Sequence, residues 1–294
     1  MSFRQGKHLT LSGTDYSGKS PEQIQNLFRQ ALENGMHGLC YSAYEEGQQP
    51  GDILTADQIR RRMEIIAPYT KWVRSFSCIE GNELVPKVAR EFGLKTLVGA
   101  WLGKDEDLNE QEIAGLIQLA KEGYVDIAAV GNEVLYRKDL SEEALLDYIR
   151  RVKNAIPEVP TGYVDAYYEF TACPGITEAC DVILANCYPF WEGCHIDYSL
   201  VYMKQMYQQA VQAANGKKVI ITETGWPSQG KSLDGAEPSA VNAMKYFINT
   251  QQWSREEDIA IFYFASFDES WKVGAEGDVG AYWGLWDMHQ NLKF

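Results

Sequence analysis

The chain has 294 residues, with 41 Asp and Glu against 27 Lys and Arg and a formal charge of −14. So acidic a balance argues against nucleic acid or an anionic membrane as the main partner, because both call for a basic surface. Hydrophobic residues make up 45% of the chain, enough for one large core, which excludes global disorder. Barrels of about 250 residues are routinely one domain, so a single domain over residues 1–294 is expected.

The opening segment Met1 to His8 carries no apolar core of a signal peptide, although a mature form would read the same way. No run of about 18 apolar residues suggests a transmembrane span. The first helix is expected over Pro21 to Glu33: Ser20 can cap it, Pro21 suits its first turn, and Asn34-Gly35 closes it. The first β-rich run, Gly38 to Ser42, follows. Thr55-Ala56-Asp57-Gln58 matches a capping box before the next helix. Further runs come at Trp72–Phe76, Leu94–Trp101, Val125–Gly131, Thr161–Asp165, Asp181–Asn186, Lys218–Thr222 and Ile259–Ala265. Amphipathic stretches separate them, with Ser141 opening one helix and Gly93 and Asn215-Gly216 ending others.

Continuous apolar runs alternating with helices are the pattern of parallel strands joined by helical crossovers. Eight such units without a linker favour an α/β fold of the closed (β/α)8, or TIM-barrel, type. The Gly-rich dinucleotide fingerprint of an open doubly wound sheet is missing. A helix precedes strand one, and no long helical pattern follows strand eight. The leading helix is therefore expected to fill the outer-ring place of the missing last one.

The last four of the six cysteines (Cys173, Cys180, Cys187 and Cys194) recur every seven residues with no CxxC and no His pair, so no metal site is expected. Cys173 with Cys180, or Cys187 with Cys194, could pair; buried free thiols are the other reading. His8, His37, His195 and His289 are scattered and receive no role.

Active sites of such barrels lie at the C-terminal ends of the strands. The fourth run ends Gly131-Asn132-Glu133 and the seventh Thr222-Glu223-Thr224-Gly225-Trp226-Pro227, which sets two glutamates across one mouth. Facing carboxylates suit glycosidic bond cleavage, at about 5–5.5 Å for retention of configuration. Glu133 must then be protonated near neutral pH, and the nearby charge of Glu223 would raise its pKa. A Tyr hydroxyl or Lys272 could support the charge of Glu223. Arg74, at the end of the second run, could orient Glu223 or only bridge strands. Trp226, Phe190, Trp191, Trp271 and Trp283 are candidate stacking platforms for sugar rings, Trp226 foremost because it lies next to Glu223. Asp268 reads as a loop or cap residue.

Val130-Gly131-Asn132-Glu133-Val134, Ile221 to Ser228 and Phe267-Asp268-Glu269-Ser270-Trp271-Lys272 resemble signature blocks of glycoside hydrolase family 17. Gly38-Leu39-Cys40-Tyr41 and Asn186-Cys187-Tyr188-Pro189-Phe190 resemble two more, in family order over about residues 36 to 290. The resemblance implies a retaining endo-β-1,3-glucanase acting on laminarin-like chains without a cofactor or metal. In it Glu133 would be the acid/base and Glu223 the nucleophile. Tyr41, Asn132, Tyr188, Phe190, Trp226, Phe267, Glu269 and Lys272 would form the substrate-binding set. Asn132 would bind the sugar 2-OH, Tyr41 and Tyr188 would flank the carboxylates, and Glu269 and Lys272 would set the electrostatics or bind hydroxyls. The partner expected is a β-1,3-glucan polysaccharide or oligosaccharide, and the protein is expected to be an extracellular or periplasmic monomer. A glucan transglycosylase using the same residues and a non-catalytic glucan-binding barrel are the alternatives.

Overall fold

The computed structural model describes residues 13–294; the Met1 to His8 segment lies outside the described residues. Eight parallel strands close into a barrel in chain order. They are β1 (Met36–Cys40), β2 (Thr70–Ser75), β3 (Lys95–Ala100), β4 (Ile127–Asn132), β5 (Thr161–Ala166), β6 (Ile183–Asn186), β7 (Val219–Thr224) and β8 (Ile261–Tyr263). Each expected run overlaps one strand. The largest change in length is at β8, where the run Ile259–Ala265 contributes three strand residues.

The surrounding helices are α1 (Pro21–Glu33), α2 (Ala56–Ile66), α3 (Leu84–Glu91), α4 (Glu106–Lys121), α5 (Glu142–Ala155), α6 (Glu169–Ala172), α7 (Pro174–Ala179), α8 (Ser199–Ala213) and α9 (Ala240–Glu256). After β8 come only short 3-10 turns and the four-residue α10 (Val273–Glu276). Helix α1 takes the vacant outer place: Phe28 packs its ring 4.9 Å from Phe247 of α9 and 5.1 Å from Phe294 at the chain end. Burying Phe28 completely seals the barrel wall that a final helix would otherwise cover.

The capping chemistry is redistributed relative to expectation. Ser20 and Gln23 form the complete, reciprocal capping box of α1. Thr55 caps α2 by accepting from Gln58 N, but the Gln58 side chain turns away to donate to the carbonyl of Ala43 at 3.0 Å. The Ala43 carbonyl, buried in the loop after β1, takes that amide N–H, because a buried acceptor left unpaired is costly.

Both strands that carry the paired glutamates are irregular just before them. In β4, Ala129 faces Gly162 and Asn132 faces Val164, so three steps match two. In β7, Ala185 faces Ile221 while Asn186 faces Glu223, so two steps match one. An extra residue of this kind bends a strand end and re-aims the side chains that follow it. Gly131 makes the β4 irregularity possible, with φ +85° and only 2.8 Å between an added Cβ and Val134 Cγ2. Gly131→Ala should cost about 1–3 kcal/mol of stability, read as a lowered denaturant midpoint at unchanged m-value.

Candidate active site

A cleft of about 1200 Å³ opens over the C-terminal ends of the strands, and Glu133 and Glu223 both line it. Its volume exceeds that of an ordinary small-molecule pocket, which runs to about 1,000 Å³, and suits an extended ligand.

Glu223 is held by two donors. Arg74 Nη1 lies 2.6 Å from Oε1, and the Tyr188 hydroxyl donates to Oε2 at 2.7 Å. Arg74 is buried, and its guanidinium also donates to the Thr222 carbonyl at 2.9 Å and to Asn132 Oδ1 at 2.6 Å. One side chain from β2 thus ties the ends of β4 and β7 together, and Arg74 orients Glu223 as well as bridging strands. With its oxygen turned to Arg74, Asn132 has its amide nitrogen left to donate to a ligand.

Glu133 sits in a different environment. It adopts a left-handed φ of 52°, and its N–H donates to Val164 O at 2.8 Å. Its carboxyl accepts from Asn186 Nδ2 at 2.9 Å, and Thr222 Oγ1 fixes the orientation of that amide by donating to Asn186 Oδ1 at 2.9 Å. Its pKa is pushed up to about 7, first by burial and second by the charge of Glu223. The expected cause, the neighbouring carboxylate, is therefore real but secondary to desolvation. Asp165 adds a smaller push upward, while the Asn186 hydrogen bond and Arg137 oppose it.

A raised carboxyl pKa has a stability consequence. Below about pH 4.5 the carboxyl is protonated folded or unfolded and carries no penalty; the penalty grows as pH rises and is complete above about pH 7. Glu133→Gln should therefore stabilise the fold by about 2–3 kcal/mol at pH 8 and by almost nothing at pH 4, measured as denaturation midpoints at the two pH values.

The remaining expected residues divide. Glu269 and Lys272 line the cleft as an ion pair, 2.7 Å apart. Lys272 thus salt-bridges Glu269, while Arg74 is the cation on Glu223. Tyr188 stands beside Glu223 as expected, but Tyr41 does not flank the carboxylates with its hydroxyl. The ring of Tyr41 lines the wall, and its hydroxyl points outward to donate to Ile59 O of α2 at 3.2 Å.

Phe190, Trp226 and Phe267 do not line the cleft and are at most 1% exposed. Trp226 donates its indole N–H to Glu237 O at 2.9 Å and packs 5.4 Å from Tyr246 of α9. Phe190 packs edge-on to Trp226 and Trp283, and Phe267 lies 4.6 Å beneath the Arg62 guanidinium. These rings brace the loops behind the site, because burying them completely returns more than leaving one face open. Trp191, Trp271 and Trp283 do line the cleft.

Trp101 and Tyr136, 43% and 57% exposed, line it too and were not anticipated. Their signal was present, since Trp101 immediately follows β3 and Tyr136 follows Glu133 by three residues. Two further carboxyls, on the buried Glu112 and the half-buried Glu276, border the cleft, each with its pKa pushed up to about 7 chiefly by desolvation. Asp268 is structural, accepting from Gly284 N at 2.8 Å and pairing with Lys293. All six cysteines are free. Among the described residues no group of three or more His, Cys, Asp or Glu is placed to hold a metal ion.

Relatives can now be set beside this geometry. A glucan 1,3-beta-glucosidase of Schizosaccharomyces pombe is 27% identical, over 94% of this chain and 91% of that protein. A probable glucan endo-1,3-beta-glucosidase, btgC, of Aspergillus fumigatus is 26% identical over 81% of this chain and 39% of its own length. Among solved structures, the glycoside hydrolase family 17 beta-1,3-glucanosyltransferase from Rhizomucor miehei superposes with a TM-score of 0.80 at 29% identity, covering 89% of this chain and 96% of that one. A solved structure of an active-site mutant of Rhizomucor miehei beta-1,3-glucanosyltransferase, in complex with laminaritriose, superposes with a TM-score of 0.79 at 29% identity. The BtgE/BtgC glycoside hydrolase domain matches residues 38–284, from the first strand through the tail beyond the eighth, and the chain belongs to that family-17-like group of glycoside hydrolases.

Proposed function

We propose that this protein is a retaining, endo-acting β-1,3-glucanase working by double displacement, with Glu223 as nucleophile and Glu133 as acid/base. The observation that carries the reading is the contrast between the two carboxyls. One is held by a guanidinium and a phenol; the other is half-buried, bonded only to a neutral amide, and tuned to about 7. Pairs of carboxyls driven apart in this way divide into an anion and an acid.

In the first step a Glu223 oxygen attacks the anomeric carbon while the glycosidic C–O bond breaks, and the Glu133 proton passes to the leaving oxygen. With Glu223 esterified, its charge no longer raises the pKa of Glu133, which now accepts a proton from water as that water attacks the anomeric carbon. The ester C–O bond breaks, and Glu223 is restored as the anion. Asn132 donates to the 2-OH of the sugar at the reacting centre, a contact that tightens in the transition state. No cofactor takes part.

Endo action is supported by where the aromatics lie. In the closed strand order, β5 and β6 fall on one side of the line from β4 to β7, and β8, β1, β2 and β3 fall on the other. Tyr168 and Trp191 line the cleft from the first side, Trp101 and Trp271 from the second. Sugar-stacking surfaces on both sides of the carboxyl pair fit a chain that runs through the site. The relatives' names and the laminaritriose complex support β-1,3-linked glucose as the substrate. An extracellular or periplasmic location belongs to the same proposal, as the family resemblance implies.

The likeness to the glucanosyltransferase favours a second reading, in which a sugar hydroxyl replaces water in the second step. Proton NMR of a β-1,3-glucan oligosaccharide digest should show the β-anomer appearing first, and initial appearance of the α-anomer would exclude double displacement. Chromatography of the same digest separates the readings: shorter products alone mean hydrolysis, whereas products longer than the substrate mean transfer.

A further inference from the structure

The loop after β4 carries an arginine that the mechanism above leaves unused. Arg137 lines the cleft, and all three nitrogens of its guanidinium are engaged. Nη1 donates to the Asn132 carbonyl at 2.5 Å, Nη2 to the Leu102 carbonyl at 3.1 Å, and Nε to Asp139 Oδ2 at 2.7 Å. The face of the guanidinium lies 4.6 Å from the Trp101 ring centroid. The backbone N–H of Arg137 returns to the Glu133 carbonyl at 2.9 Å.

The peptide joining Asn132 to Glu133 is therefore gripped at both ends, its carbonyl by Arg137 and its N–H by Val164 O. That peptide leads into a glutamate at φ 52°, a conformation that side-chain-bearing residues rarely adopt. Such a conformation persists only where surrounding contacts over-determine it. Without the arginine, the backbone at residue 133 is free to relax, and the carboxyl turns away from the site. A displacement of about 1 Å there is enough to lose roughly 100-fold in rate.

We propose that Arg137 is a positioning residue for the acid/base: its guanidinium holds the Asn132–Glu133 peptide in the left-handed turn that aims the Glu133 proton at the glycosidic oxygen. The inference rests on reading Glu133 as the acid/base. It also carries a pH signature. The charged groups bearing on Glu133 are Glu223 from β7, Asp165 from β5 and Arg137 from its own loop, with the neutral Asn186 amide from β6. Of these charges only Arg137 lowers its pKa, so removing Arg137 moves the basic limb of kcat/KM to higher pH.

The test compares two substrates in each purified variant. A β-1,3-linked glucose tetramer has a leaving group that must be protonated, whereas the 2,4-dinitrophenyl β-glycoside of the corresponding dimer does not. Their kcat/KM ratio within one preparation does not depend on the folded fraction. Arg137→Ala and Arg137→Lys should each lose about 10–100-fold on the tetramer and less than about threefold on the aryl glycoside. The basic limb should rise in Arg137→Ala and stay in place in Arg137→Lys, because lysine keeps the charge but not the fork. A ratio equal to the parent's in both variants overturns the proposal. Glu133→Gln, measured in parallel, locates such a failure. If it changes the ratio while the Arg137 variants do not, the positioning role alone is wrong; if it too leaves the ratio unchanged, the acid/base assignment falls with it.

Discussion

Glu223→Gln is expected to lower kcat on a β-1,3-glucan oligosaccharide by about 10⁴-fold or more, with the fold intact by circular dichroism. The amide keeps the shape of the carboxyl but carries no charge with which to attack the anomeric carbon or to balance the positive charge that develops there. Removing the nucleophile blocks every substrate, however good its leaving group. Glu133→Gln should behave differently, losing about 10²–10⁴-fold in kcat/KM where the leaving oxygen needs a proton and little on an activated glycoside, whose turnover falls instead at the base-assisted second step. Azide, which attacks without a general base, should restore turnover of an activated glycoside in Glu133→Gln by forming a β-glycosyl azide. A Glu223→Gln enzyme that kept a tenth of the parent activity would remove the nucleophile assignment.

Arg74→Met carries the largest expected cost in stability, about 3–5 kcal/mol. The guanidinium is buried and joins β2 to Glu223, Asn132 and the Thr222 carbonyl, so its loss leaves a buried carboxylate without its paired cation. Breaking a buried pair by deleting one partner is much costlier than replacing both. The double variant Arg74→Met with Glu223→Gln should accordingly regain about 2 kcal/mol or more over Arg74→Met alone, measured by denaturant unfolding. Additivity within about 0.5 kcal/mol would show the two side chains to be uncoupled. Arg74→Met should also fall in kcat, since Asn132 and Glu223 lose their common anchor.

The degree to which this site was legible differs from residue to residue. Glu133, Asn132, Glu223 and Tyr188 end strands, and in a parallel barrel every strand end faces the same mouth, so their convergence follows from position alone. Glu269 and Lys272, in the tail after β8, meet by a three-residue spacing that brings their side chains together in a helical turn. Trp226 misled because it stands three residues after Glu223 in sequence, yet its ring turns toward α9. Phe190 and Phe267 are loop residues, and no periodicity says whether a loop ring faces ligand or core. Arg74 reaches partners 58 and 149 positions away, a separation without any local signature. The residues of the Arg137 grip lie close in sequence, but what makes them a device is the left-handed φ at Glu133, invisible until the backbone is traced.

The sequence by itself determined the barrel, its leading helix and the pair of glutamates. Those features come from local regularities: apolar runs of strand length, caps and glycines at helix ends, and polar residues where runs stop. Tertiary structure decided the chemistry of the pair. Two irregular strand ends aim the carboxyls into the cleft; Arg74 and Tyr188 hold one, and burial beside a neutral amide raises the pKa of the other. Depth of burial and the identity of the nearest charge are sums over atoms brought together from all around the barrel. Acidity in this site therefore appears only when the barrel closes.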